Sequence, residues 1–133
     1  MFDWKKPTVE MLGRWQPWHD GHTELFKRAL SITGQVCIMY RDVGGVDAGV
    51  DGQSDNPFKF EEVKKNIIEG LKPHGFNEGE KYIILKVPNI IDISYGRGVG
   101  YTFTEHDLGE EIHRISATKI RKEMRSKGDL KKK

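Results

Sequence analysis

The sequence predicts an α/β fold: a mostly parallel sheet of about four to five strands with helices on both faces. Three observations carry this. Short apolar runs near residues 9–12, 36–40 and 82–87 are too brief for helices and are bounded by turn residues. Between them, residues 21–32 and 57–71 place apolar side chains at helical spacing. The resulting order is strand, helix, strand, helix, strand, strand, helix. It calls for parallel pairing through crossover helices, with ligands expected at the carboxyl ends of the strands.

The 133 residues are expected to form one domain, 1–133, large enough for a single core. Hydrophobic residues make up 36% and charged residues 32%, the balance of a well-hydrated protein. A net charge of +2 is too small to imply a nucleic-acid partner. No apolar run approaches the roughly 18 residues of a membrane span, and residues 1–6 lack the apolar core of a signal peptide. A single cysteine, Cys37, cannot form an internal disulfide, which fits a cytoplasmic location. It lies inside an apolar run and reads as a small buried hydrophobe.

In order, residues 1–6 read as a loose lead-in and 7–12 as the first strand. Helix 21–32 carries Leu25, Phe26, Ala29 and Ile32 at core spacing, and Gly34 stops it. Residues 35–40 suit a strand buried on both faces. Residues 41–56 are rich in Gly and Asp and form either a plain connection or a lid over the substrates. Helix 57–71 has Asn56 as cap, Pro57 in its first turn and a stripe of Val63, Ile67, Ile68 and Leu71. Strand 82–87 follows the turn at 72–80. In 91–104, Ile91, Ile93 and Tyr95 alternate, glycines interrupt, and 101–104 resume a strand pattern, giving a fourth strand region. A polar loop, a helix at 117–126 capped by Ser116, and a basic tail at 127–133 complete the chain.

The stretch that organises the chain is residues 13–22, Gly-Arg-Trp-Gln-Pro-Trp-His-Asp-Gly-His. It joins the first strand to the first helix, where backbone N–H groups suit an anion such as phosphate. His19 and His22 are three apart and share a face once the helix begins. Gly21 between them leaves room for a close approach to the backbone. The four aspartates of 41–56 lack calcium-loop spacing and a closing Glu, so that reading is rejected.

This stretch resembles the H-x-G-H signature of the nucleotidyltransferase superfamily. Its longer form is similar to the G-R-F-Q-P-F-H-x-G-H of many adenylyltransferases, with Trp15 and Trp18 where Phe is usual. H-x-G-H alone is less specific, because class I aminoacyl-tRNA synthetases carry a similar pattern. The second superfamily motif, I-S-[ST]-T-x-[IV]-R, resembles Ile-Ser-Ala-Thr-Lys-Ile-Arg at 115–121.

The resemblance implies a Rossmann-like fold and an enzyme that moves a nucleoside monophosphate from a nucleoside triphosphate to a small phosphorylated acceptor, releasing pyrophosphate. It implies that His19, His22 and Arg121 are catalytic. It assigns Gly13, Arg14, Trp15, Gln16, Gly21, Ser116 and Thr118 to the nucleotide; Trp15 and Trp18 read equally as core aromatics. Arg97 loosely resembles a triphosphate-binding Arg, with simple exposure as the alternative, and Arg41 and Lys59 are weaker candidates beside the lid. Related enzymes often carry an Arg near the position of Glu62, which is absent here. Mg²⁺ is expected to arrive with the nucleotide, since the sequence shows no dedicated metal cage. ATP is favoured over CTP by the form of the first motif. A CTP-using enzyme and a nucleotide sensor without catalysis are the competing readings. Relatives are often dimers or larger; the sequence leaves the oligomeric state open.

Overall fold

A computed structural model describes residues 1–43, 57–97, 100–106 and 124. Among these, three parallel strands form one sheet in the order β1 (Val9–Gly13), β2 (Val36–Arg41), β3 (Tyr82–Val87). Two helices connect them: α1 (Asp20–Thr33) after β1 and α2 (Phe60–Leu71) after β2. The register sets Gly13 opposite Tyr40 and Arg41 opposite Val87, so the three carboxyl ends lie level.

The strands alternate as a covered sheet requires. Met11, Val36, Ile38, Tyr40, Tyr82 and Ile84 point to one face, where they meet Phe26, Ala29, Val63, Ile67 and Leu71 of the two helices. Phe26 sits at the centre, edge-on to Tyr82 at 5.6 Å and to Phe76 at 5.2 Å. α1 and α2 touch each other. Both described helices therefore cover the same face, where the sequence predicts helices on both. Two right-handed crossovers that step in the same direction across a sheet must place their helices on one side. The other face carries Leu12, Met39, Ile83 and Leu85, all half-buried, and Cys37, which is buried. The helix predicted at 117–126 lies outside the described residues except for Met124, which has helical backbone and packs against the core.

Several boundaries differ from expectation for identifiable reasons. α1 buries Gly21, Thr23, Phe26 and Ala29, while Ile32 is 49% exposed. Thr23, a polar residue, is buried on the inner face because its hydroxyl accepts from Trp18 Nε1 at 2.9 Å. Gly34 ends α1 in the left-handed region, φ 88°, with its N–H on Leu30 O, as predicted. α2 begins at Phe60 rather than 57, because the N–H and C=O of Phe58 are both taken by Gln16. Glu62 accepts from Lys59 N at 3.3 Å at this helix start and so serves as a cap. The lead-in is anchored rather than loose. The buried Gln35 amide receives Asp3 N and donates to Asp3 O and Thr8 Oγ1, and Phe2 N donates to Gly79 O.

The described part of 91–104 forms no strand, which leaves three strands among the described residues where four to five are expected. Ile91 is 86% exposed, and Ile93, Tyr95, Tyr101 and Phe103 are exposed as well. An alternating pattern fixes a strand only when one of its faces is buried, and here neither is. A groove of about 1110 Å³ separates this segment from β1 and α1. No helix of the described residues is long and apolar enough to cross a membrane.

Candidate functional site

β1 delivers the chain to the turn at 14–19, which lies at the carboxyl end of the sheet. Trp15 takes a positive φ of 52° there, an uncommon conformation for a bulky residue. Its indole folds back over Gly13, where a Cβ would come within 2.8 Å of the ring, so only glycine fits beneath it. Trp15 Nε1 donates to Met39 O at 3.0 Å, which ties the turn to β2. Trp18 lies against Gly70 of α2, where a Cβ would again stand 2.8 Å from the ring.

These aromatics surround one imidazole. His22 meets Trp15 edge-on at 4.8 Å and Trp18 at 5.4 Å, and it stacks on His19 at 3.7 Å with only 17° between the planes. His19 is the N-cap of α1: its Nδ1 accepts from Gly21 N at 3.0 Å. His22 Nδ1 accepts in turn from His19 N at 3.2 Å. The two rings thus form a reciprocal capping box, with histidines where Ser and Glu are usual.

That arrangement revises the expectation that outward amides of this turn hold an anion. The N–H groups of His19 and Gly21 are already bonded to the rings. An imidazole whose Nδ1 accepts carries its proton on Nε2. The helix start therefore presents two stacked Nε2–H donors, and no hydrogen bond among the described residues takes up either one. Burial pushes the His22 pKa down to about 3, with the neighbouring His19 adding to the effect. Burial also lowers His19, partly offset by Asp20. Both rings are neutral donors at pH 7, and parallel neutral rings can stack without charge repulsion.

The other predicted residues fall into four groups. Trp15 (6% exposed), Trp18 (7%) and Gln16 (2%) are buried, and what they visibly do is build the turn. Arg14 is half-buried, and its carbonyl accepts from Gln16 Nε2 at 3.2 Å. Arg97 is exposed in the 91–97 segment and forms no ion pair among the described residues. Ser116, Thr118 and Arg121 lie outside the described residues, as does most of the 41–56 loop and the 127–133 tail.

Two features escape sequence reasoning. Arg41, at the carboxyl end of β2, has its Nε buried without a partner among the described residues, and its Nη1 reaches Ile90 O only at 3.5 Å. Gln16 and Phe58 exchange a pair of hydrogen bonds across 42 residues. The sequence offers Arg41 only as a weaker candidate beside the lid, and no local pattern signals its burial or the Gln16–Phe58 pair. Among the described residues, no group of three or more His, Cys, Asp or Glu is placed to hold a metal ion.

Over 81 residues, 60% of its length, the chain is 30% identical to a nicotinamide-nucleotide adenylyltransferase of Methanococcus aeolicus. The match covers 41% of that protein, so the chain spans less than half the length of this relative. No family model matches the chain. The likeness is thus to a nucleotidyltransferase, within an α/β frame of parallel strands.

Proposed function

We propose that this chain is a nucleotidyltransferase that moves an adenylyl group from ATP to a small phosphorylated acceptor. A phosphate oxygen of the acceptor attacks the α-phosphorus, the bond to the β-phosphate bridging oxygen breaks, and pyrophosphate leaves. The nucleophile is already an anion, so no general base is required. The need is for preorganised donors where charge grows on the α-phosphate and the leaving group.

The observation that carries this reading is the histidine pair. His19 and His22 stand at a helix start beyond a strand's carboxyl end, with both Nδ1 atoms bonded to backbone and both Nε2–H groups left as donors. A polyphosphate laid against α1 would meet two neutral donors that lose no freedom on binding. Arg14 contributes a guanidinium from the same turn, and Ser116, Thr118 and Arg121 are proposed to complete the grip from the second motif. Mg²⁺ would neutralise phosphate oxygens and come with the nucleotide. The adenylyl choice draws on the form of the first motif and on the name of the similar protein, a nicotinamide-nucleotide adenylyltransferase, which also makes a nicotinamide nucleotide the first acceptor to try.

The test is pyrophosphate release with ATP or CTP, Mg²⁺ and a panel of phosphorylated acceptors led by nicotinamide mononucleotide. Release that requires ATP and an acceptor supports the reading. Release with CTP alone overturns the adenylyl choice, and tight nucleotide binding without release on any acceptor points to a sensor.

A further inference from the structure

We infer that Gln16 is a positioning residue: its buried amide locks the histidine-bearing turn to the start of α2 and so sets the placement of the two Nε2–H donors. The inference deepens the reading above, and its rate component rests on that reading.

Four observations carry it. Gln16 is 2% exposed, so its amide has left water. Its Oε1 accepts from Phe58 N at 2.9 Å and its Nε2 donates to Phe58 O at 3.0 Å, the paired exchange of two adjacent strands made here by one side chain. Phe58 is itself 5% exposed, so neither of its backbone groups can turn to solvent when the pair is lost. The same Nε2 also donates to Arg14 O at 3.2 Å, within the turn itself. One amide therefore closes the turn on itself and fastens it to a segment 42 residues away.

The turn has reason to need this. Trp15 holds a left-handed backbone that relaxes unless its surroundings impose it. Trp15 is the residue before Gln16, and Trp18, which packs on Gly70 near the other end of α2, is two residues after it. α2 thus braces the turn at both of its ends, through an amide at its start and a tryptophan near its close. Both tryptophans pack on His22. When the amide is removed, the turn loses its fastening at the start of α2 and the indoles are free to shift. The His22–His19 cap, which depends on bonds of 3.0 and 3.2 Å, then loosens. The role is distinct from contact with a nucleotide, since both ends of the amide bond to the protein's own backbone, Oε1 to Phe58 N and Nε2 to the Phe58 and Arg14 carbonyls.

The test uses Gln16→Met, which keeps length and volume and removes every bond. Gln16→Glu is the second variant; it keeps an acceptor for Phe58 N and sets a carboxylate against the Phe58 and Arg14 carbonyls. The direct readout is the histidine tautomer state, from long-range ¹H–¹⁵N spectra of histidine-labelled protein at a temperature where circular dichroism shows each variant folded. Expected in the unsubstituted protein are two Nε2–H tautomers with accepting Nδ1 atoms; in the variants, at least one ring becomes a mixture. The rate readout is a fall in kcat of roughly tenfold to a hundredfold with nucleotide KM nearly unchanged, as expected for misplaced donors. Unchanged tautomers in the folded variants would overturn the inference, as would a rise in KM at constant kcat, which would make Gln16 a nucleotide contact. The tautomer reading needs no turnover. A protein that releases no pyrophosphate but shows the tautomer change loses the proposed activity and keeps this inference.

Discussion

The turn at 14–22 and the segment at 91–106 are both rich in aromatic side chains, yet they differ in every structural respect. In the turn, Trp15 and Trp18 are buried, and each indole N–H donates to a specific acceptor, Met39 O and Thr23 Oγ1. In the segment, Tyr95 and Phe103 stack at 6.1 Å but are 58% and 66% exposed. The difference lies in what surrounds them. The turn is flanked by α1, β2 and α2, so its aromatic rings close a continuous core and its indole N–H groups find partners. The segment faces a groove on one side and solvent on the other. Aromatic content alone therefore does not make a core; neighbours on more than one side do.

The largest expected effect breaks the turn at its chemical end. His22→Ala or His19→Ala removes one donor and is expected to lower turnover on the order of 10²–10³, measured as pyrophosphate release. Thermal unfolding should still show a cooperative transition. Near-normal turnover in either variant removes the donor role.

Next come the glycines beneath the indoles. Gly70→Ala sets a Cβ 2.8 Å from the Trp18 ring, and Gly13→Ala does the same to Trp15. Both rings are buried and cannot swing away, so a loss of about 1–3 kcal/mol is expected in urea unfolding. Gly70 stands in the last turn of α2, where alanine is otherwise the better helix former, so a gain in stability at this site would contradict the packing.

Acid should also distinguish the two regions. Burial holds His22 down to about 3, so the folded chain refuses a proton that the unfolded chain takes up near the ordinary histidine value of 6.5. His19 is shifted in the same direction. The unfolded state binds more protons in that window, so stability is full above about pH 6.5 and declines as pH falls toward 3. Urea midpoints measured from pH 7 to pH 4 check this, and His22→Gln should flatten the decline. A midpoint that rises on acidification would contradict the neutral stack.

The smallest effect belongs to the segment. Tyr95→Ser and Phe103→Ser remove exposed side chains and should change stability by no more than about 0.5 kcal/mol. A loss several times larger would show that these residues are covered in solution and would erase the contrast with the turn.

Much of the frame is readable along the chain, because helix, strand and cap signals act over a few residues. The runs at 36–40 and 82–87, the Val63, Ile67 and Leu71 stripe and the glycine stop at Gly34 all stand where their spacing puts them. The boundaries that move do so for tertiary reasons. The start of α2 yields to Gln16, and Thr23 is buried in α1 through its bond to Trp18. The fourth strand fails because alternation needs a surface to cover it.

By itself, the sequence determined the order of the three strands and two helices from β1 to β3 and the pairing of two histidines on one face of a helix start, both properties of near neighbours in the chain. Only the tertiary structure decided that the rings cap their own helix through Nδ1, that both described helices share one face of the sheet, and that Trp15 and Gln16 turn inward. Those outcomes rest on contacts made 24 and 42 residues apart, from Trp15 to Met39 and from Gln16 to Phe58. Spacing along a chain carries no record of such partners, because they meet only once the sheet has brought their segments together.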